Sequence, residues 1–133
     1  MLLDVKNIAI HYGAIQAVKD MSFTVEEGEI VTLIGANGAG KSSALHAISG
    51  MLRPSAGDIL FQNESIVKQP AYKIVQKGIS QVPEGRRIFA NLTVLENLKM
   101  GAYTNKNKSQ VRQDIERTFE RFPSLEERKD YRA

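Results

Sequence analysis

Nine consecutive residues have the types and spacing needed to bind a chain of phosphates: Gly35-Ala36-Asn37-Gly38-Ala39-Gly40-Lys41-Ser42-Ser43. They match the pattern Gly-x-x-x-x-Gly-Lys-[Ser/Thr] at every required position. The glycines allow backbone conformations closed to residues with a Cβ, so that successive N–H groups can point at one anion. Lys41 supplies a mobile ammonium for the β- and γ-phosphates, and the Ser42 hydroxyl is a hard oxygen ligand for Mg²⁺. The alternative is a glycine-rich turn before an ordinary helix.

The elements beside this string favour the nucleotide-binding interpretation. Ile30–Ile34 is almost wholly apolar, which predicts a central strand buried on both faces of a parallel sheet. A helix is predicted to begin near Lys41, and its unpaired N–H groups and positive dipole end would face the anion. Its apolar stripe comprises Ala44, Leu45, Ile48, Met51 and Leu52. A strand, a loop and a helix in this order are the arrangement that a phosphate-binding loop requires.

The rest of the chain predicts an α/β fold with a β-rich beginning. The expected strands are Leu2–Ile10, Met21–Val25, Asp58–Phe61 and Ile79–Val82, and the expected helices are Pro70–Lys77, Thr93–Met100 and Ser109–Phe122. Thr93 and Glu96 have the spacing of a capping box. Only Ile79–Val82 could join Ile30–Ile34 in a parallel sheet, so that sheet is expected to be incomplete.

Composition excludes several classes of function. The 133 residues carry a net charge of +3 and no cysteine, which rules out disulfides, thiol catalysis and thiolate metal sites. The length favours one domain, and neither a secretory signal nor an apolar run long enough to cross a bilayer is present. His11 and His46 lie in different elements and do not indicate a metal site. The charges between Arg112 and Arg132 are balanced, as in a solvated helix face, and do not indicate a nucleic-acid partner.

Strings on both sides of the loop resemble those of the ATP-binding subunit of ABC transporters. Before the loop they are Tyr12-Gly13, Ala17-Val18 and Glu27-Gly28-Glu29-Ile30; after it they are Gly57-Asp58-Ile59, Val82-Pro83-Glu84-Gly85-Arg86-Arg87-Ile88-Phe89 and Leu92-Thr93-Val94-Leu95-Glu96-Asn97-Leu98. The resemblance covers essentially the whole chain and is greatest to the subgroup that imports branched-chain amino acids. It implies the N-terminal portion of an ABC-type P-loop NTPase, with an antiparallel β edge and an incomplete parallel core sheet.

The resemblance also implies roles for residues outside the loop. Tyr12 is similar to the aromatic residue that stacks on adenine, and Val18 to the aliphatic residue that flanks the same ring. From the residues themselves, Tyr12 could equally be an interface aromatic and Val18 a core residue. Glu84 stands where most ABC subunits carry a glutamine that touches Mg²⁺ and the attacking water, because Gln81 falls three residues too early. A carboxylate can still bind Mg²⁺, whereas the alternative is a solvated loop carboxylate.

The family's signature motif, its acidic strand with the catalytic glutamate and its switch histidine are not found in these residues. Tyr131-Arg132-Ala133 resembles the stretch just before the signature. We therefore expect residues 1–133 to be the N-terminal part of a single ABC ATP-binding domain, truncated before the signature motif. The catalytic set is then incomplete, with only Glu84 at the glutamine-loop position, and the chain by itself is expected to be inactive.

Partners and cofactors follow from the same resemblance. It implies ATP and Mg²⁺, a second ATP-binding subunit, and membrane permease subunits that contact the Glu84–Phe89 loop. Arg86, Arg87 and Phe89 could equally form a solvated loop with one anchoring aromatic. The implied location is peripheral, at the cytoplasmic face of the cell membrane. The alternatives are a nucleotide-binding module or pseudo-subunit without turnover, another P-loop enzyme such as a small-molecule kinase, and a soluble ABC protein of DNA repair or translation.

Overall fold

The computed structural model describes all 133 residues, which divide into two units, Met1–Gln81 and Val82–Ala133. The elements of the first unit are β1 (Leu3–Tyr12), β2 (Ile15–Val25), α1 (Lys41–Ile48), β3 (Ala56–Phe61), β4 (Glu64–Ser65) and α2 (Ala71–Gln76). Those of the second are α3 (Val94–Gly101), α4 (Lys108–Arg121) and α5 (Pro123–Glu127). Helices and strands are thus mixed, and the predicted α/β class is confirmed.

The strands of the first unit form one antiparallel sheet in the order β2-β1-β3-β4. This sheet confirms the predicted antiparallel β edge. β1 pairs on both sides, and its pairing shifts between Val5 and Ile8. Asn7 has a positive φ of 46° at this bulge, and the extra residue lets Val5, Ile8 and Ile10 all face the core in spite of their uneven spacing. Ile59 of β3 packs into the same core.

Two predicted strands do not form. Residues 30–34 and 79–82 contain no strand, and no β-pairing involves them. Ile30, Ile34 and Val82 are more than 90% exposed, so the expectation of a strand buried on both faces was wrong. An apolar run favours burial, but a strand also needs a neighbouring strand for its backbone hydrogen bonds. No strand pairs with residues 30–34 here. The parallel part of the predicted sheet is therefore not present in this structure.

α1 and α2 begin where they were predicted to begin. Ala44, Ala47 and Ile48 of α1 are buried in the core of the first unit. Leu45 and Met51, which were assigned to the same apolar stripe, are about half exposed. α1 ends at Ile48, so the predicted stripe extended past the last helical turn.

The second unit is helical. α3 begins with a capping box, because the Thr93 hydroxyl accepts from the Glu96 N–H while the Glu96 carboxylate accepts from the Thr93 N–H. α4 follows the predicted periodicity, with Val111, Ile115 and Phe119 half-buried. The short helix α5, which starts at a proline, was not predicted. No helix in the structure is both long and apolar enough to cross a membrane.

Candidate nucleotide-binding site

The loop from Gly35 to Gly40 runs directly into the first turn of α1. Gly38 and Gly40 have φ values of 85° and 89°, in the left-handed region that favours glycine. The N–H of Ala39 donates to the carbonyl of Ala36 at 3.1 Å, which closes a turn inside the loop. The loop is therefore a defined turn that ends at a helix N-terminus.

The start of α1 offers unpaired backbone donors. Its N-cap residue Gly40 forms no side-chain cap, and the first turn carries no acidic residue. The first hydrogen bond into the helix runs from the N–H of Ala44 to the carbonyl of Gly40 at 2.9 Å. The N–H groups of Lys41, Ser42 and Ser43 therefore precede the internal ladder, and they combine with the positive end of the helix dipole. An anion at this position would be stabilised by both.

The Lys41 side chain folds back onto the loop. Its Nζ donates to the carbonyl of Gly35 at 2.5 Å and to that of Ala36 at 2.7 Å. The ammonium thus lies against the first two residues of the loop and brings a positive charge beside it. A phosphate chain in the loop would have a cation and a helix N-terminus beside it.

Gly40 packs against β2. A Cβ at this glycine would lie 2.5 Å from Cγ2 of Val18 and 2.7 Å from the carbonyl oxygen of Ala17. Val18 is almost fully buried and belongs to the hydrophobic core, so its side chain supports the loop from beneath. The packing role of Ala17 was not predicted, since the contact uses its backbone oxygen and carries no sequence signal.

Tyr12 ends β1 and is about half exposed. Its hydroxyl lies 3.1 Å from Oγ of Ser43, in the first turn of α1. The structure therefore brings together Tyr12, Val18 and the loop, which are far apart in sequence. The Tyr12–Ser43 hydrogen bond was not predicted, because no pattern in the sequence links a strand end to a helix start thirty-one residues later.

The residues expected to bind Mg²⁺ lie in different units. Ser42 is exposed in the first turn of α1, and its hydroxyl is the type of oxygen donor that Mg²⁺ prefers. Glu84 is exposed in a loop of the second unit. No cluster of three or more His, Asp or Glu side chains could hold a metal by itself. The chemistry of Ser42 suits a cation that is held mainly by the phosphates of a nucleotide.

Asn97 of α3 anchors the end of the loop that contains Glu84. Oδ1 of Asn97 accepts from the Phe89 N–H at 2.9 Å, and its Nδ2 donates to the carbonyls of Phe89 and Thr93 at 3.1 and 2.9 Å. Arg86, Arg87 and Phe89 are exposed, in agreement with a solvated loop and with a docking surface alike. The role of Asn97 was not predicted; its position one turn after the capping residue Thr93 was the available signal in the sequence.

Comparison with known proteins identifies the family. The model of the ABC transporter family matches residues 18–131. The branched-chain amino acid transport ATP-binding protein BraG of Pseudomonas aeruginosa is 47% identical over 133 residues, which is 99% of this chain and 56% of that protein. The lipopolysaccharide export system ATP-binding protein LptB of Haemophilus influenzae is 39% identical over 97 residues, 73% of this chain and 40% of that protein.

A solved structure shares the fold. The structure of an ATP-binding subunit of an ABC transporter superposes with a TM-score of 0.86 and 29% identity, over 99% of this chain and 54% of that one. The chain thus spans about half the length of the relatives that it matches. Because the family model matches most of the chain and the strings around the loop agree, the resemblance noted in the sequence is confirmed, and this chain belongs to the ABC transporter family.

Proposed function

We propose that this chain is part of the ATP-binding subunit of an importer for branched-chain amino acids, in which ATP binding and hydrolysis are coupled to uptake. The observation that carries this proposal is the loop geometry, in which the Lys41 ammonium lies against the loop and the loop ends at the uncapped N-terminus of α1. The 47% identity to BraG supports branched-chain amino acids as the transported substrates.

In this proposal the phosphates of ATP lie along residues 35–43. The N–H groups at the start of α1 and the ammonium of Lys41 bind the β- and γ-phosphates, while Tyr12 stacks on the base and Val18 holds the loop in place. In the first unit Ser42 would supply an oxygen ligand for Mg²⁺, which would neutralise the charge of the phosphates; in the second unit Glu84 carries a carboxylate that can bind the same type of cation. The glutamate at position 84 preserves a metal ligand where most ABC subunits carry an amide.

The partners in this proposal are a second ATP-binding subunit and membrane permease subunits. Arg86, Arg87 and Phe89 are exposed as a docking surface requires, and Asn97 anchors the backbone of Phe89. The subunit would sit peripherally at the cytoplasmic face of the membrane. Hydrolysis needs a general base and a second half-site, neither of which these residues supply, so we expect the 133-residue chain to bind Mg-ATP weakly without turnover.

The phosphate-binding role can be tested on the chain and on a chimaera. In the chimaera, the part of BraG beyond its aligned region follows Ala133. We expect Lys41→Ala to abolish ATP hydrolysis by the chimaera and to weaken tripolyphosphate binding by the chain at least tenfold, a loss of about 1.4 kcal/mol or more. Lys68→Ala, at a site remote from the loop in sequence, is the matched control. Unchanged hydrolysis in the Lys41 variant would contradict the proposed phosphate role, and turnover by the unextended chain above its Lys41→Ala control would contradict its expected inactivity.

The transported class needs a separate experiment, since the similarity to LptB makes lipopolysaccharide export a second candidate. We expect the chimaera to restore uptake of labelled leucine in Pseudomonas aeruginosa that lacks BraG, and the Lys41→Ala chimaera not to do so. A folded, ATP-hydrolysing chimaera that restores no uptake would contradict the branched-chain assignment while leaving the nucleotide site in place.

A further inference from the structure

The tip of the β1–β2 hairpin touches the phosphate-binding loop at two places. Tyr12, the last residue of β1, forms a hydrogen bond with Ser43 at 3.1 Å. Three residues into β2, Ala17 and Val18 meet Gly40 so closely that a Cβ at Gly40 would force one of them to shift. The hairpin tip and the start of α1 are thereby held at a set distance from each other.

Both ends of the Tyr12–Ser43 hydrogen bond belong to ordered backbone. Tyr12 pairs with Ile15 across the hairpin, and Gly13 at φ 59° makes the turn between them. Ser43 lies in the first turn of α1, one residue before Ala44, which is fully buried. Tyr12 is about half exposed, so packing covers only part of its surface. The hydrogen bond to Ser43 is a directional contact that restrains the orientation of this half-exposed ring.

We propose that Ser43 is a positioning residue for the base of the nucleotide: its hydroxyl holds the Tyr12 ring in the orientation that receives the base before the nucleotide binds. This inference rests on the proposed function. A ring that is already oriented loses less side-chain entropy on binding, so the hydrogen bond contributes to affinity for the nucleoside portion. The phosphate chain, which is bound by Lys41 and the backbone of α1, gains nothing from it.

The experiment compares ATP with tripolyphosphate, which has the same phosphate chain but no base. Dissociation constants are measured by calorimetry for the 133-residue chain and for the BraG chimaera. We expect Tyr12→Phe, which keeps the ring but loses the hydroxyl, to raise the Kd of ATP about three- to tenfold and to leave that of tripolyphosphate unchanged. Ser43→Ala should raise the ratio of the two Kd values by the same factor, and Ser43→Thr, which retains a hydroxyl, should restore it.

Coupling between the two residues is the decisive readout. If both act through one hydrogen bond, the ratio of the Kd of ATP to that of tripolyphosphate should be no higher in the Tyr12→Phe/Ser43→Ala double variant than in either single variant. Tyr72→Phe, at an exposed tyrosine of α2, is the matched control and should change neither Kd. Additive effects, no change in the ATP-to-tripolyphosphate ratio, or tighter ATP binding without the hydroxyl would each overturn the inference. If neither the unsubstituted chain nor the unsubstituted chimaera binds tripolyphosphate, the proposed function on which this inference rests would be overturned instead.

Discussion

Two glycines of the phosphate-binding loop share a backbone conformation but differ in their surroundings. Gly38 and Gly40 both have φ values between 85° and 89°. A Cβ at Gly38 would meet nothing within 4 Å, whereas one at Gly40 would meet Val18 and the carbonyl of Ala17 at 2.5 and 2.7 Å. Substitution of Gly38 therefore measures the cost of backbone strain alone, whereas substitution of Gly40 adds the cost of steric overlap.

We expect Gly38→Ala to lower the free energy of unfolding by about 1–2 kcal/mol, the cost of a left-handed residue with a Cβ. Gly40→Ala should lower it by about 1–3 kcal/mol more, because Val18 or the β2 backbone must also shift. Urea unfolding followed by circular dichroism measures both. Equal effects of the two substitutions would show that the Gly40 contact is relieved without cost.

An ion pair at the edge of the sheet gives stability a pH dependence. The hydrogen bond and the positive charge of Lys77 lower the pKa of Glu64 below its usual 4.5. Since the folded-state pKa is the lower one, the pair stabilises the fold above pH 4.5, and this contribution is lost as the pH falls through the folded value.

We expect Glu64→Gln to reduce the urea midpoint at neutral pH slightly and to flatten its decline below pH 4.5. Lys77→Met should flatten the same part of the profile, because it removes the cause of the lowered pKa of Glu64. The effect is small, since both groups lie at the surface, where solvent screens the charges. A profile whose slope in this range does not change in either variant would contradict the assignment.

At the scale of elements, the capping box stabilises the start of α3. One turn later, Asn97 forms hydrogen bonds with Phe89 in the preceding loop. Thr93→Ala removes the acceptor for the Glu96 N–H at 3.2 Å. We expect it to lower the free energy of unfolding of the second unit by about 1 kcal/mol and to speed proteolysis between residues 83 and 93. Thr104→Ala, at an exposed threonine in the turn after α3, is the control. Equal proteolysis rates in the two variants would mean that the cap does not organise the loop.

At the scale of the whole molecule, apolar residues divide sharply into buried and exposed groups. Ile8 and Ile59 are fully buried in the sheet, while Ile30 and Ile34 are more than 90% exposed. We expect Ile59→Ala to cost about 2–5 kcal/mol of unfolding free energy, because it leaves a cavity in the core. Ile34→Ala should stay within about 0.5 kcal/mol.

The same substitutions predict different surface properties. Ile34→Ala removes apolar surface near the loop and should lower the binding of a hydrophobic dye by the folded chain. Ile59→Ala should not lower it. Comparable losses of stability at positions 34 and 59 would show that residues 30–34 pack against the protein in solution.

The sequence determined the local elements and the chemistry of the loop. Periodicity and capping residues placed α1 to α4, β1 and β3 near their observed positions, because the preference of a segment for helix or strand is local. They missed β4 and the first six residues of β2, Ile15–Asp20. The pattern of Gly35 to Ser43 specified a phosphate-binding turn, because positive φ angles, a lysine and a hydroxyl have few other uses at this spacing. The similarity of its flanking strings also indicated the family, which the comparisons confirmed.

Only the tertiary structure decided which distant residues meet. It placed the hydroxyl of Tyr12 beside Ser43 and packed Val18 beneath Gly40, contacts that arise because the β1–β2 hairpin folds against α1. It also left residues 30–34 unpaired, since a strand forms from backbone hydrogen bonds to neighbours and not from apolar composition alone. Local sequence patterns indicate whether a segment favours a helix, a strand or a turn. The packing of the whole chain decides which other segments it contacts.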